Sequence, residues 1–169
     1  GLGQVKAAEN LSPVFEPELW RPSHPGYAQG VWYYGPGGSL AATTLVRGYH
    51  SVSILLPDGR ILNSGGNNNS DATKVSIYCP PYLFKANGDL AARPQLNDAP
   101  PEIRWGQTFT VCVADTANIR GACLIRPGAV THGYNQDQRY VPLTLTDRCS
   151  GQLIAAAPGD GTVAMPGYY

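Results

Sequence analysis

The strongest constraint on the fold is an apolar, β-branched run that an Asp-Gly turn interrupts and that then resumes. Residues 50–56 favour a strand, Pro57-Asp58-Gly59 a tight turn, and residues 60–66 the return strand. Asp-Gly readily adopts the positive φ angles that a short hairpin requires. A third strand is expected over residues 74–79, after a polar loop. The segment therefore predicts a three-stranded antiparallel meander.

The rest of the chain also favours short strands. With 20 Gly and 15 Pro residues and no helical apolar stripe, the sequence is typical of an all-β fold with many turns. A break is expected at Pro80-Pro81-Tyr82, followed by a sandwich-like series. The further predicted strands are 13–20, 30–34, 108–113, 122–126, 140–145, 152–156 and 161–164.

Composition excludes several classes of function. Charged residues make up 14% of the chain and the formal net charge is zero, so no basic surface for nucleic acid is expected. No apolar run approaches the roughly 20 residues of a membrane helix, so membrane insertion is not expected. The N-terminus Gly1-Leu2-Gly3-Gln4 does not resemble a signal peptide. We expect the chain to be a piece of a longer precursor.

The four cysteines, at positions 79, 112, 123 and 149, form no CxxC pair, which disfavours a zinc knuckle. Their even number permits disulfides, while buried free thiols are the equal alternative. A hairpin through residues 114–121 would bring Cys112 and Cys123 side by side and make a bridge between them feasible. Scarce Lys with plentiful Asn, Gly and Tyr favours an extracellular protein.

Two segments carry a family resemblance. The strand–turn–strand–Gly-Gly–loop–strand order resembles a Kelch repeat, and Arg47-Gly48-Tyr49-His50-Ser51 through Arg60 resembles a blade of galactose oxidase. Ala129-Val130-Thr131-His132-Gly133 through Arg139 resembles a loop of that family's C-terminal domain. The resemblance to galactose oxidase and glyoxal oxidase implies the end of a Kelch β-propeller over residues 1–82. An immunoglobulin-like early-set sandwich without its last strand would follow over residues 83–169.

The resemblance also implies a copper site and an activity. His50 and His132 would be equatorial copper ligands, and Tyr49 would be both the axial ligand and the catalytic base. A radical tyrosine cross-linked to a cysteine is expected outside this chain. The intact, secreted or cell-surface protein would oxidise a primary alcohol, a carbohydrate or a small aldehyde with O2 and release hydrogen peroxide. The segment alone is expected to be inactive.

The residues themselves allow this chemistry under one geometric condition. Imidazole and phenolate suit Cu(II). Neighbouring strand residues face opposite sides, so Tyr49 and His50 can share a metal only if the backbone is irregular, which Gly48 permits. Taken singly, Tyr49 could be a core aromatic, His50 a hydrogen-bonded histidine and His132 a surface residue.

Other residues receive lesser roles. His24, in a Pro/Gly loop, is expected to be exposed and unimportant. Asp137-Gln138-Arg139 is expected to anchor the His132 loop by hydrogen bonds and ion pairing. The three tryptophans, Trp20, Trp32 and Trp105, are interpreted as packing residues.

One alternative comes from a different functional class. The chain could belong to a non-catalytic module that binds a glycan or cell-wall partner and has a degenerate copper site. The retained Tyr49-His50-Ser51 and Thr131-His132-Gly133 motifs count against it. The resemblance to galactose oxidase implies a substrate-facing aromatic residue shortly before Pro13. Residues 6–10 contain no aromatic, which argues mildly against a galactose-type substrate.

Overall fold

The computed structural model of the chain describes residues 13–22, 29–34, 40–66, 70–132, 134–149 and 151–169. It contains two compact units. The first runs to Leu90 and includes Ala129–Gln136, and the second comprises Ala91–Gly128 and Asp137–Tyr169. The domain boundary between residues 82 and 83 stays a prediction.

The described residues form twelve strands and one short 3₁₀ helix, Pro81–Leu83. No helix in the described part of the chain is long and apolar enough to cross a membrane. The strands are β1 (Glu18–Arg21), β2 (Val31–Tyr34), β3 (Ser51–Leu55), β4 (Ile61–Gly65), β5 (Ser76–Tyr78), β6 (Leu96–Asp98), β7 (Thr108–Val113), β8 (Ala122–Arg126), β9 (Val130–Thr131), β10 (Tyr134–Asn135), β11 (Arg139–Cys149) and β12 (Gln152–Ala156).

The first unit contains the predicted meander. Strands β3, β4 and β5 form an antiparallel three-stranded sheet in chain order. The hairpin between β3 and β4 closes through a bond from the Leu56 N–H to the Arg60 carbonyl, 2.8 Å long, and Gly59 has φ 82°. A positive φ at that position is what the Asp-Gly pair predicted. Strands β1 and β2 form a separate antiparallel pair, as do β9 and β10.

The second unit is a curled five-stranded sheet in the order β6-β7-β12-β11-β8. The long strand β11 pairs with β8 over Arg139–Leu143 and with β12 over Thr144–Cys149. A register shift between Leu145 and Asp147 interrupts the second pairing, and such irregularities bend strands. The sheet curls around an apolar cavity of about 750 Å³, where Val113, Leu153 and Ala155 are buried. The predicted all-β architecture is confirmed.

Two local predictions are wrong. Residues 161–164 form a turn rather than a strand, because the Asp160 carboxylate accepts the Thr162 N–H at 2.7 Å and its carbonyl accepts the Ala164 N–H. Strands β7 and β8 do not form a hairpin, because β12 and β11 lie between them in the sheet. Cys112 and Cys123 are accordingly free thiols, as is Cys79.

Candidate metal centre

Tyr49 and His50 occupy a turn immediately before β3. The Ser51 N–H donates to the Gly48 carbonyl at 3.1 Å, which leaves Tyr49 and His50 as the two central residues. His50 has φ 67°, in the left-handed region. This turn interrupts the alternation of side chains along a strand, so the backbone irregularity that a shared site requires is confirmed.

The conformation of His50 depends on Gly65 across the sheet. Ser51 pairs with Gly65 at the end of the β3–β4 ladder. A Cβ atom on Gly65 would stand 2.6 Å from the His50 carbonyl oxygen, and Gly65 itself has φ 75°. Only glycine combines that close approach with an unstrained positive φ.

His132 lies at the tip of the β9–β10 hairpin. Thr131, the residue before it, pairs with Tyr134 on the returning strand. His132 has φ 54°, in the left-handed region that non-glycine residues seldom adopt. The hairpin base is closed by the Gln136 N–H, which donates to the Ala129 carbonyl at 2.9 Å.

The three predicted ligands lie together within the first unit. The ring centroids of Tyr49 and His50 are 3.8 Å apart, those of His50 and His132 4.6 Å, and those of Tyr49 and His132 5.5 Å. All three side chains are exposed, with Tyr49 at 42%. Two imidazoles and a phenol therefore converge on one point of the first unit.

Strain marks the same two histidines. Among the described residues, His50 and His132 are the only non-glycine residues with positive φ. Such conformations cost roughly 1–3 kcal/mol each and persist where the surroundings impose them, often at functional sites. The two strained residues are therefore the same two that the family resemblance selects as ligands.

Thr131 contributes a contact that the sequence did not reveal. Its Oγ1 atom lies 2.9 Å from Nδ1 of His132. A partner at Nδ1 fixes the orientation of the ring and leaves Nε2 as the nitrogen for a metal. The sequence placed Thr131 in the Thr-His-Gly motif but did not predict this contact, because adjacency in sequence does not specify a side-chain hydrogen bond.

The donor set fits copper better than a carboxylate- or thiolate-binding metal. Among the described residues there is no group of three or more His, Cys, Asp or Glu side chains that could hold a metal ion. The phenol of Tyr49 is the oxygen donor that the structure places beside the two imidazoles. Imidazole and phenolate donors with room for exchangeable ligands match Cu(II). The assignment of Tyr49, His50 and His132 as copper ligands stays a prediction.

The residues with lesser predicted roles are placed as follows. Asp137 forms an ion pair with Arg126, 2.9 Å long, and these two residues flank the His132 loop in the sequence. Trp105 donates from Nε1 to the Ala164 carbonyl at 2.9 Å but remains 48% exposed, so its packing role stays a prediction. Trp20 and Trp32 contact each other, with centroids 5.1 Å apart. His24 lies outside the described residues.

Comparisons with known proteins agree on one family. The family described as "Galactose oxidase-like, Early set domain" matches residues 93–169. Galactose oxidase of Gibberella zeae is 38% identical over 95% of this chain and 23% of that protein. "Aldehyde oxidase GLOX" of Vitis pseudoreticulata is 30% identical over 94% of this chain and 32% of that relative.

A solved structure supports the same conclusion. A fungal alcohol oxidase of the AA5 family, in complex with copper, matches with a TM-score of 0.64 at 29% identity, over 88% of this chain and 33% of that chain. The chain spans about a quarter to a third of the length of these relatives. It belongs to the galactose oxidase and glyoxal oxidase-like family.

Proposed function

We propose that the protein carrying this chain is a copper-dependent oxidase of primary alcohols or aldehydes. The observation that carries the proposal is the convergence of Tyr49, His50 and His132, with ring centroids 3.8 to 5.5 Å apart. Because the chain spans only part of its relatives, the activity belongs to the intact protein, and the segment alone is inactive. A cross-linked Tyr–Cys pair that completes the centre lies outside this chain.

His50 and His132, through their imidazoles, and Tyr49, through its phenolate, would hold the copper ion. The Thr131 contact at Nδ1 directs Nε2 of His132 towards the metal. Bound copper would supply Lewis-acid and one-electron redox chemistry at this point. The strained turn and the strained hairpin tip hold the two imidazoles in place before the metal binds, which reduces the ordering that binding costs.

Tyr49 acts as the general base for the substrate hydroxyl. Its phenolate oxygen, held beside the two imidazoles, accepts the hydroxyl proton of a substrate alcohol. For an alcohol the overall reaction is R–CH2OH + O2 → R–CHO + H2O2. Two electrons and two protons pass from the alcohol to O2.

The substrate is more consistent with a small alcohol or aldehyde than with galactose, because residues 6–10 contain no aromatic side chain. A secreted or cell-surface location is part of the proposal and rests on the scarcity of Lys.

Peroxide production by the intact, copper-loaded protein tests this function. A panel of primary alcohols, galactose and small aldehydes should include at least one substrate that consumes O2 and yields peroxide in equal amounts. Copper binding without peroxide from any member of the panel would favour the non-catalytic glycan-binding module instead. In the same assay His132→Ala is the test variant. His24→Ala is its matched control, since His24 is the chain's remaining histidine.

A further inference from the structure

Arg47 lies two residues before Tyr49 and reaches across to the far end of β4. Its guanidinium donates to the Gly65 carbonyl at 3.0 Å and to the Asp71 carbonyl at 3.1 Å. Longer contacts connect it to the Asn63 carbonyl at 3.4 Å and to the Ser76 hydroxyl at 3.5 Å. The Arg47 side chain thus connects the segment before the Tyr49–His50 turn with β4, with β5 and with the loop between these two strands.

Gly65 links Arg47 to the strained residue. It pairs with Ser51, the residue directly after the turn, and its Cα atom lies against the His50 carbonyl. The same glycine accepts from Arg47, which precedes the turn. The turn is therefore fixed to Gly65 from both of its sides.

A second contact immobilises the backbone just before Arg47. The Val46 N–H donates to Oδ2 of Asp71 at 2.9 Å, and Oδ1 of Asp71 pairs with Lys74 at 2.7 Å. The Asp71 carboxylate therefore accepts a hydrogen bond from the Val46 N–H, and the Asp71 main-chain carbonyl accepts one from the Arg47 guanidinium. Residues 46 and 47 are held to one point of the β4–β5 loop.

We infer that Arg47 is a positioning residue that fixes the Tyr49–His50 turn and so directs both side chains towards His132. The inference rests on the proposed copper function. A left-handed histidine is sustained only where its surroundings impose the conformation, and the Arg47 bonds are part of that constraint. The planar guanidinium reaches several carbonyls in a fixed geometry, which the single ammonium of lysine does not reproduce.

A structural role alone would give a different result. If Arg47 only stabilises the sheet, its loss lowers the melting temperature and leaves the metal site of the folded protein unchanged. A positioning role changes the site in molecules that remain folded. The electron paramagnetic resonance (EPR) spectrum of bound Cu(II) separates the two, because it reports ligand geometry and not stability.

The experiment uses the intact protein, stripped of metal and titrated with Cu(II). Arg47→Met and Arg47→Lys are compared with Arg60→Met and Arg60→Lys. Arg60 is the matched control, since it pairs with Asp58 at the opposite end of the same hairpin. Affinity for Cu(II), the EPR spectrum and near-ultraviolet circular dichroism are measured on each preparation.

Both Arg47 variants should bind Cu(II) about 10- to 100-fold more weakly than wild type, the usual effect of losing a residue that orients a ligand. Their EPR spectra should change, while both Arg60 variants match wild type. Wild-type affinity and spectrum in either folded Arg47 variant would overturn the inference, and so would failure of both to fold. A wild-type protein that binds no Cu(II) would instead refute the proposed function.

Discussion

The His50 carbonyl oxygen lies against the Cα atom of Gly65, where a Cβ atom would stand 2.6 Å from it. Gly65→Ala should therefore force the strained turn apart. It should destabilise the protein by more than the roughly 1–2 kcal/mol that a positive φ costs alanine. Affinity for Cu(II) should fall as well, because His50 is displaced. Chemical denaturation and a Cu(II) titration measure the two effects.

Gly88→Ala is the matched control for this prediction. Gly88 also has a positive φ, 87°, but a Cβ atom there would meet nothing within 4 Å. The control should carry only the φ penalty and bind Cu(II) normally. Equal destabilisation of the two variants, with equal Cu(II) affinity, would show that the close approach to His50 is unimportant.

Thr131→Val removes the hydroxyl beside Nδ1 of His132 at nearly constant side-chain volume. Affinity for Cu(II) should fall about 10- to 100-fold, because the ring is no longer oriented. Thr131→Ser keeps the hydroxyl and should restore most of the affinity. Thr144→Val, on an exposed position of β11, is the control. If valine and serine at position 131 bind Cu(II) equally, the contact has no role in the site.

Tyr49→Phe separates the base role from a packing role. As the general base, Tyr49 should be worth about 10²–10⁴-fold in kcat/KM, while the two histidines retain copper. As a core aromatic, it would cost about 1 kcal/mol of stability through a lost hydrogen bond and leave turnover unchanged. Tyr134→Phe, at the 73% exposed Tyr134 in the neighbouring hairpin, is the control. Full activity with full copper occupancy in Tyr49→Phe would exclude the base role.

The Asp71 carboxylate, which binds the Val46 N–H just before the Tyr49–His50 turn, should stabilise the protein in a pH-dependent way. The hydrogen bond from Lys74, and then that from the Val46 N–H, lower the pKa of Asp71 below its ordinary 3.8. A lowered pKa in the folded state means that the ionised Asp71 carboxylate stabilises the fold fully above the unfolded pKa. This stabilisation disappears as pH falls through the folded pKa. Asp71→Asn should therefore lower the Tm at pH 7.

The Tm difference between wild type and Asp71→Asn should begin to shrink below pH 3.8, where the unfolded chain takes up a proton at Asp71, and should disappear as pH falls through the lower pKa of the folded protein. In a Lys74→Met background the same substitution should cost less at pH 7, because the largest cause of the shift is gone. A difference that stays constant from pH 7 to pH 3 would contradict this account.

The sequence predicted what local chemistry determines. Asp58-Gly59 specified the β3–β4 hairpin, because few dipeptides accept its backbone angles. Local patterns did not reveal that β7 and β8 are separated by two later strands, since that order depends on pairing between distant segments. The proposed bridge between Cys112 and Cys123 failed for this reason. The strand predicted over residues 161–164 was wrong because the Asp160 side chain binds the Thr162 N–H, which a strand would need for pairing.

At the candidate metal centre, too, the sequence predicted the residues but not their detailed conformation. Family resemblance selected Tyr49, His50 and His132, and Gly48 allowed an irregular backbone before β3. The left-handed conformation of both histidines was not predictable, because neither residue type requires it. His50 adopts it within the turn that the Ser51–Gly48 bond closes, and His132 adopts it next to the paired end of β9. The Arg47 and Thr131 contacts depend on side-chain placement, which the pattern of residue types does not specify.

Copper content measured by elemental analysis on the intact protein tests the central claim most directly. The account predicts about one tightly held copper ion per chain, because two imidazoles and a phenolate match the donors that Cu(II) prefers. His132→Ala should lose most of that copper, whereas His24→Ala should keep it. Unchanged copper in folded His132→Ala, or no copper in the wild-type protein, would contradict the assignment of Tyr49, His50 and His132 as its ligands.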